Sequence, residues 1–231
     1  MKIRVRAVLF DVDDTLFDRD GAQQGILRVI LQELPDVFAG LPAEAIWRAF
    51  DESDSIALRE YEASVPSEDF RSRRSRLFLG LLGLDEKHAD AVTALYVHRY
   101  PTIDAPVASA VSVVSRLAHT FPLGIVSNAL PDVQYTKLTT LGIRHLFRCV
   151  VLSGELKIAK PDPRIFLHAA GLLGTAPEDC LYVGDSYESD VVGAKHAGMH
   201  TCWFNPRALP AGDIKPDIQV HILQDLLPLL V

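Results

Sequence analysis

The sequence predicts an α/β fold with a parallel sheet, interrupted after its first strand by an all-helical insertion. Three observations carry this expectation: a short apolar run near the start that ends in an acidic cluster, a long stretch of purely helical periodicity, and then a regular alternation of short apolar runs with helical segments. Residues 5–10 form the first run, rich in apolar side chains, and stop abruptly at Asp11, Asp13 and Asp14. They read as a buried strand ending at a polar site. From residue 18 to 100 the pattern is helical: Ile26, Leu27, Ile30, Leu31 and Leu34 share one face, and similar faces recur over 46–58 and 70–82. After Pro101 come four more runs. Residues 123–126 end in Ser127-Asn128, 149–152 in Ser153-Gly154, 181–183 in Gly184-Asp185, and 201–204 in Asn205-Pro206. Helical stretches lie between them near 132–141, 164–173 and 189–197. Strand alternating with helix implies right-handed crossovers and a parallel sheet, whose ligands bind at the carboxyl ends of the strands. The expected organisation is a core of residues 1–17 and 101–231 with a helical segment, 18–100, inserted into it.

Composition excludes several classes of function. The 231 residues carry 23 Lys and Arg against 30 Asp and Glu, a formal charge of −7, so the broad basic footprint that nucleic acid or an anionic membrane surface demands is missing. A hydrophobic content of 48% supplies an ample core. Cys149, Cys180 and Cys202 are too few and too scattered for a disulfide framework, and no CxxC pair suggests zinc or redox chemistry. Asp11 interrupts the first apolar run before a signal segment forms, and no run reaches membrane-spanning length. A soluble, cytoplasmic protein is expected.

Four strand ends and loops supply groups with chemistry. Asp11-Val12-Asp13-Asp14-Thr15 places two carboxylates two residues apart just past a strand, suited to a nucleophile or metal ligand beside an acid/base, although a solvated acidic turn has the same composition. Ser127-Asn128 offers a hydroxyl, an amide and backbone N–H groups to an oxyanion; both residue types also favour plain strand exits. Lys160 sits in Lys157-Ile158-Ala159-Lys160-Pro161-Asp162-Pro163, where two prolines stiffen the loop; Lys157 competes for its role, and a helix start explains the prolines equally. Gly184-Asp185-Ser186 followed by Asp190 adds carboxylates suited to a hard cation or to capping a helix. Each plain alternative is respectable singly. Coincidence on all four, in order, is improbable.

On these residues the sequence resembles the haloacid dehalogenase-like hydrolase superfamily. Asp11-x-Asp13-x-Thr15, Ser127, Lys160, and Gly184-Asp185 with Asp190 match its four motifs within FDVDDTL, IVSN, KPDPRIF and VGDSYESDVVGAKHAG, and the helical insertion matches its cap. The resemblance implies a Rossmann-like three-layer core and a hydrolytic mechanism. Asp11 attacks phosphorus to give an aspartyl-phosphate, while Asp13 protonates the leaving alcohol and later deprotonates water. Mg²⁺ is held by the Asp11 carboxylate, the Asp13 carbonyl and Asp185, with Asp190 behind them. Thr15 orients Asp13, and Ser127 and Lys160 bind phosphoryl oxygens. Four carboxylates against Lys160 leave a formal −3, so a cation is needed before a phosphate dianion enters. Dehalogenating members carry an aromatic residue where this chain has Asp13 and need no metal, which favours a phosphatase; a phosphomutase uses the same Asp pair. A non-catalytic protein keeping the fold is the alternative from another class. Buried carboxylates with nothing to bind argue against it.

The expected partner is a small phosphorylated metabolite, with sugar phosphates, nucleoside monophosphates and phosphoglycolate-like acids all open. Neither nucleic acid nor membrane is expected, and the oligomeric state is not readable. Asn128 is expected at the substrate. Arg73 and Arg74 lie on the same side as Phe70, Leu77 and Leu81, either snorkelling at the edge of that face or recognising an anionic leaving group. His196 and His200 are four apart, but Gly198 ends any helix between them, so no shared metal site is expected. No GxxxxGK[ST] or GxGxxG occurs, so a nucleotide is at most a substrate.

Overall fold

The computed structural model describes residues 3–63 and 70–230. In chain order its elements are β1 (Ala7–Phe10), α1 (Arg19–Glu33), α2 (Ala43–Ala63), α3 (Phe70–Leu81), α4 (Ala89–Arg99), α5 (Ala110–Ala118), β2 (Leu123–Ser127), α6 (Pro131–Thr140), β3 (Phe147–Leu152), α7 (Ser153–Leu156), α8 (Pro163–Leu173), β4 (Cys180–Gly184), α9 (Gly193–His196), β5 (His200–Phe204) and β6 (Ile218–Val220). They form two compact units, Met1–Asp20 with Asp104–Val231, and Gly21–Ile103. The bounds expected from the sequence, 17/18 and 100/101, differ from these by three residues. No helix among the described residues is long and apolar enough to cross a membrane.

The first unit is built on a parallel sheet of order β3-β2-β1-β4-β5-β6. Strands β1, β2 and β4 are buried along their whole length, which explains why they read as unbroken apolar runs rather than alternating ones. The chain winds outward from β1 through β2 to β3, then returns to start again at β4 on the other side of β1. That reversal leaves a crevice beyond the carboxyl ends of β1 and β4, where Asp11 and Asp185 follow their strands.

Several features of this unit differ from the expectation, among them α5 and α7, where no helical stretch is expected. β6 was not anticipated: three residues of an edge strand are too short to show a period. The helix expected over 189–197 is instead a π-helical turn, Tyr187–Val192, followed by the single turn α9. Here Asp190 folds back so that its Oδ2 accepts from the Ser186 N–H at 3.0 Å. Gly184 makes room for this, because a Cβ on it would overlap the Asp190 carboxylate.

The second unit contains α2, α3 and α4, with most of α1. Its interior is aromatic: Phe78 stacks on Phe38 at 5.5 Å between centroids and meets Phe50 edge-on at 5.2 Å. Arg74 of α3 is enclosed in this unit, 3% exposed, with its guanidinium over the Tyr96 ring and 3.5 Å from Asp54. It therefore does not snorkel at the edge of an apolar face. Arg73 is half-buried.

Gly184→Ala should destabilise the protein by about 1–3 kcal/mol, since the new methyl must displace the Asp190 carboxylate. Gly171→Ala in α8, where a Cβ meets nothing, should be neutral or stabilising by up to about 1 kcal/mol. Denaturant midpoints of the two variants check this contrast; equal losses would contradict it.

Candidate active site

The turn after β1 organises the site. The Asp11 N–H extends the ladder by donating to Val183 O at 2.9 Å, and the Val12 carbonyl accepts from the N–H groups of Thr15, Leu16 and Phe17. Asp14 takes a left-handed φ of 55° within this turn and accepts from the Arg19 N–H at the start of α1. The chain thus leaves β1 with Asp11 buried, 6% exposed, and Asp13 half-buried.

Lys160 lies at the centre of the charges. Its side chain is buried, and its Nζ stands 2.8 Å from Asp11 Oδ1, 2.7 Å from Asp190 Oδ1 and 3.1 Å from the Tyr182 hydroxyl. An ammonium has three hydrogens, and each has an acceptor here. The Tyr182 hydroxyl hydrogen goes to Val126 O at 2.8 Å, leaving its oxygen to accept from Lys160. Burial works against the Lys160 charge, but Asp11 and Asp190 outweigh it and raise its pKa. The lysine stays charged.

Asn128 holds the main chain of this lysine. Its Nδ2 donates to Lys160 O at 2.9 Å and its Oδ1 accepts from the Lys160 N–H at 2.8 Å. The side chain expected at the substrate is therefore a clamp on the lysine loop. Thr15 likewise points elsewhere than expected, its Oγ1 being 3.5 Å from Asp185 Oδ1 rather than bonded to Asp13.

Asp13 is engaged by residues that the motifs do not contain. Lys137 Nζ lies 2.5 Å from its Oδ1, and Gln134 Nε2 lies 2.9 Å from its Oδ2 and 2.8 Å from Ser127 Oγ. Burial pushes the Asp13 carboxyl up, but Lys137 and Gln134 together hold it below the usual range. The site thus balances four carboxylates with two lysines, a formal −2 rather than the expected −3. A helical stripe in which Gln134 and Lys137 replace apolar residues ahead of Leu138 and Leu141 was the available signal for the pair. Tyr182 gave none, since an aromatic residue in a buried strand reads as core.

A divalent cation fits the donors that remain. Carboxylate oxygens of Asp11, Asp185 and Asp190 lie within 4.8 Å of one another. Asp185 has no ion pair among the described residues, and burial, then Asp11 and Asp190, push its carboxyl up to about 8. Burial raises Asp11 to about 7 despite Lys160, with Asp190 adding to the rise. Hard oxygen ligands of which one, Asp185, has no counter-ion among the described residues while the other two share a single lysine suit Mg²⁺. A cavity of about 400 Å³ opens beside Asp185, lined in part by Asp14, Asp18, Arg207 and His221.

Comparison with known proteins gives a consistent family. The family model for haloacid dehalogenase-like hydrolases matches residues 5–198. A glyceraldehyde 3-phosphate phosphatase of Methanopyrus kandleri is 34% identical over 205 residues, covering 85% of this chain and 82% of the relative. A phosphoserine phosphatase of Thermus thermophilus is 31% identical, covering 79% of this chain and 72% of the relative. Among solved structures, the putative hydrolase YfnB of Bacillus subtilis, bound to magnesium, superposes with a TM-score of 0.83 at 25% identity over 98% of both chains.

With both carboxyls raised, the metal-free protein should lose stability in alkali. Asp11 and Asp185 hold protons more tightly when folded than at the unfolded value of 3.8, so their contribution to stability is complete below that value and lost as pH rises through about 7 and 8. In EDTA the thermal midpoint should fall between about pH 5 and about pH 8, and Asp185→Asn should flatten the fall. Added Mg²⁺ should restore the midpoint most at the alkaline end. A midpoint that climbs across this window in EDTA contradicts the charge assignment.

Proposed function

This chain belongs to the haloacid dehalogenase-like hydrolases, and we propose that within them it is a Mg²⁺-dependent phosphatase that hydrolyses a small phosphorylated metabolite through an aspartyl-phosphate. The observation that carries the reading is the pair Asp11 and Asp13, two carboxylates two residues apart in different surroundings. Asp11 is buried against Lys160, and Asp13 is bonded through both oxygens to side chains of α6. The two environments separate the carboxyls, and the assignment of Asp11 to nucleophilic attack and Asp13 to proton transfer follows the family resemblance.

In the first step an Asp11 oxygen bonds to phosphorus as the bond to the alcohol oxygen breaks. Asp13 starts ionised; it takes up a proton from solvent as the phosphate dianion enters beside it, and that proton then passes to the leaving oxygen. In the second step water attacks phosphorus, Asp13 accepts its proton, and Asp11 is released as a carboxylate. Lys160 contributes charge more than a hydrogen bond, because its three hydrogens already have acceptors. Ser127 binds a phosphoryl oxygen. Asp11 and Asp185, with Asp190 behind them, would hold Mg²⁺ together with the Asp13 carbonyl that the resemblance implies, and the ion would supply the positive charge that lets a phosphate dianion approach this acidic site. The helical unit is read as the family's cap.

The phosphatase relatives support a phosphate monoester of a small molecule without agreeing on which one, since their names specify glyceraldehyde 3-phosphate and phosphoserine. Asp13 stands against dehalogenation, for the reason given by the resemblance. Cytoplasmic location and independence of nucleic acid remain part of the proposal.

Purified protein should hydrolyse p-nitrophenyl phosphate with Mg²⁺ and lose the activity in EDTA. Asp11→Asn should lower kcat by at least about a thousandfold, and Asp13→Asn by about a hundredfold or more. Metal-independent release of halide from a 2-haloacid, or full activity in Asp11→Asn, would sink the proposal.

A further inference from the structure

Helix α6 buries a glutamine and a lysine where its packing face calls for apolar side chains. Gln134, Lys137, Leu138 and Leu141 follow the spacing of a single helical face, and Gln134 and Lys137 are 0% and 3% exposed. Gln134 also leaves its Oε1 buried with no hydrogen-bond partner. An orphaned acceptor in a core is destabilising, and a leucine would fill the position without one. What the pair contacts must account for its presence.

Both residues reach Asp13, and Gln134 reaches Ser127 as well. Lys137 and Gln134 each engage one oxygen of Asp13, so its carboxylate is held from one helix in one orientation. The two hydrogens of Gln134 Nε2 are divided between Asp13 and Ser127. The amide cannot be reversed, because its oxygen would then face a carboxylate. Ser127 Oγ therefore accepts from Gln134, which leaves the hydroxyl's own hydrogen to donate elsewhere.

We propose that Gln134 and Lys137 are positioning residues for phosphoryl transfer: together they aim the Asp13 carboxylate at the proton it moves, and Gln134 turns the Ser127 hydroxyl into a donor for a phosphoryl oxygen. This rests on the phosphatase reading above and adds two residues to it. One helix thereby couples proton transfer to phosphoryl binding. The two residues differ in what they should control. Lys137 acts through Asp13, whose work lies in the chemical steps, whereas Gln134 also sets the group that binds substrate.

Steady-state kinetics with p-nitrophenyl phosphate and Mg²⁺, alongside thermal midpoints, test this. Lys137→Met should lower kcat by at least about tenfold with KM within about threefold of wild type, and Lys137→Arg should recover part of the loss. Gln134→Leu should lower kcat and raise KM while its thermal midpoint holds or rises, since the orphaned acceptor is gone. A purely structural role gives the opposite pattern, lower midpoints with kcat per folded molecule unchanged, and would overturn the inference. Active wild type with kcat unaltered in both Lys137→Met and Gln134→Leu would overturn it while leaving the phosphatase reading intact. A wild type that turns over no phosphate monoester overturns that reading first, and this inference with it.

Discussion

The burial of the Lys160 ammonium is the constraint on which the rest of the site depends. A charge removed from water must be matched by charges and acceptors of good geometry, or the fold is destabilised. Here the match requires Asp11 from the end of β1, Asp190 from the π-helical turn and the Tyr182 hydroxyl from β4, all converging on one nitrogen. Several local features follow from this convergence. Gly184 lacks a side chain where Asp190 folds back, and the Asn128 amide grips the lysine main chain on both sides.

The sheet makes the convergence possible. Because the chain reverses its winding between β1 and β4, the residues that follow those two strands open onto one crevice, and the loop after β2 reaches it from the neighbouring strand. The result is a site with more carboxylate than ammonium. Lys160 serves Asp11 and Asp190, Lys137 serves Asp13, and Asp185 is left with the excess. That asymmetry leaves a donor set suited to a divalent cation. It also explains how an acidic chain of net charge −7 can act on an anionic substrate.

Legibility from sequence followed the range of the interaction. The strand ends bearing Asp11, Ser127 and Asp185 were readable because a buried parallel strand is a local apolar run with an abrupt polar end. Lys160 was readable from its prolines. The partners of these residues were not. Asn128 meets Lys160 across 32 residues of chain and Gln134 meets Asp13 across 121, and no local pattern encodes such a pairing. Tyr182 was hidden because its hydroxyl acts at the end of a side chain that otherwise packs against Phe166 like any core aromatic. Arg74 is a related case: helical periodicity places it near an apolar face, while Asp54 and Tyr96, which enclose it, come from other helices.

The account turns on Asp11 as the atom donor to phosphorus. Rapid acid quench of the enzyme during turnover of a labelled phosphate monoester, followed by peptide mapping, reads this directly. The account predicts a phosphoryl adduct on the peptide that carries Asp11, formed and lost at rates consistent with kcat. An active enzyme that shows no such adduct, or carries it on another residue, contradicts it.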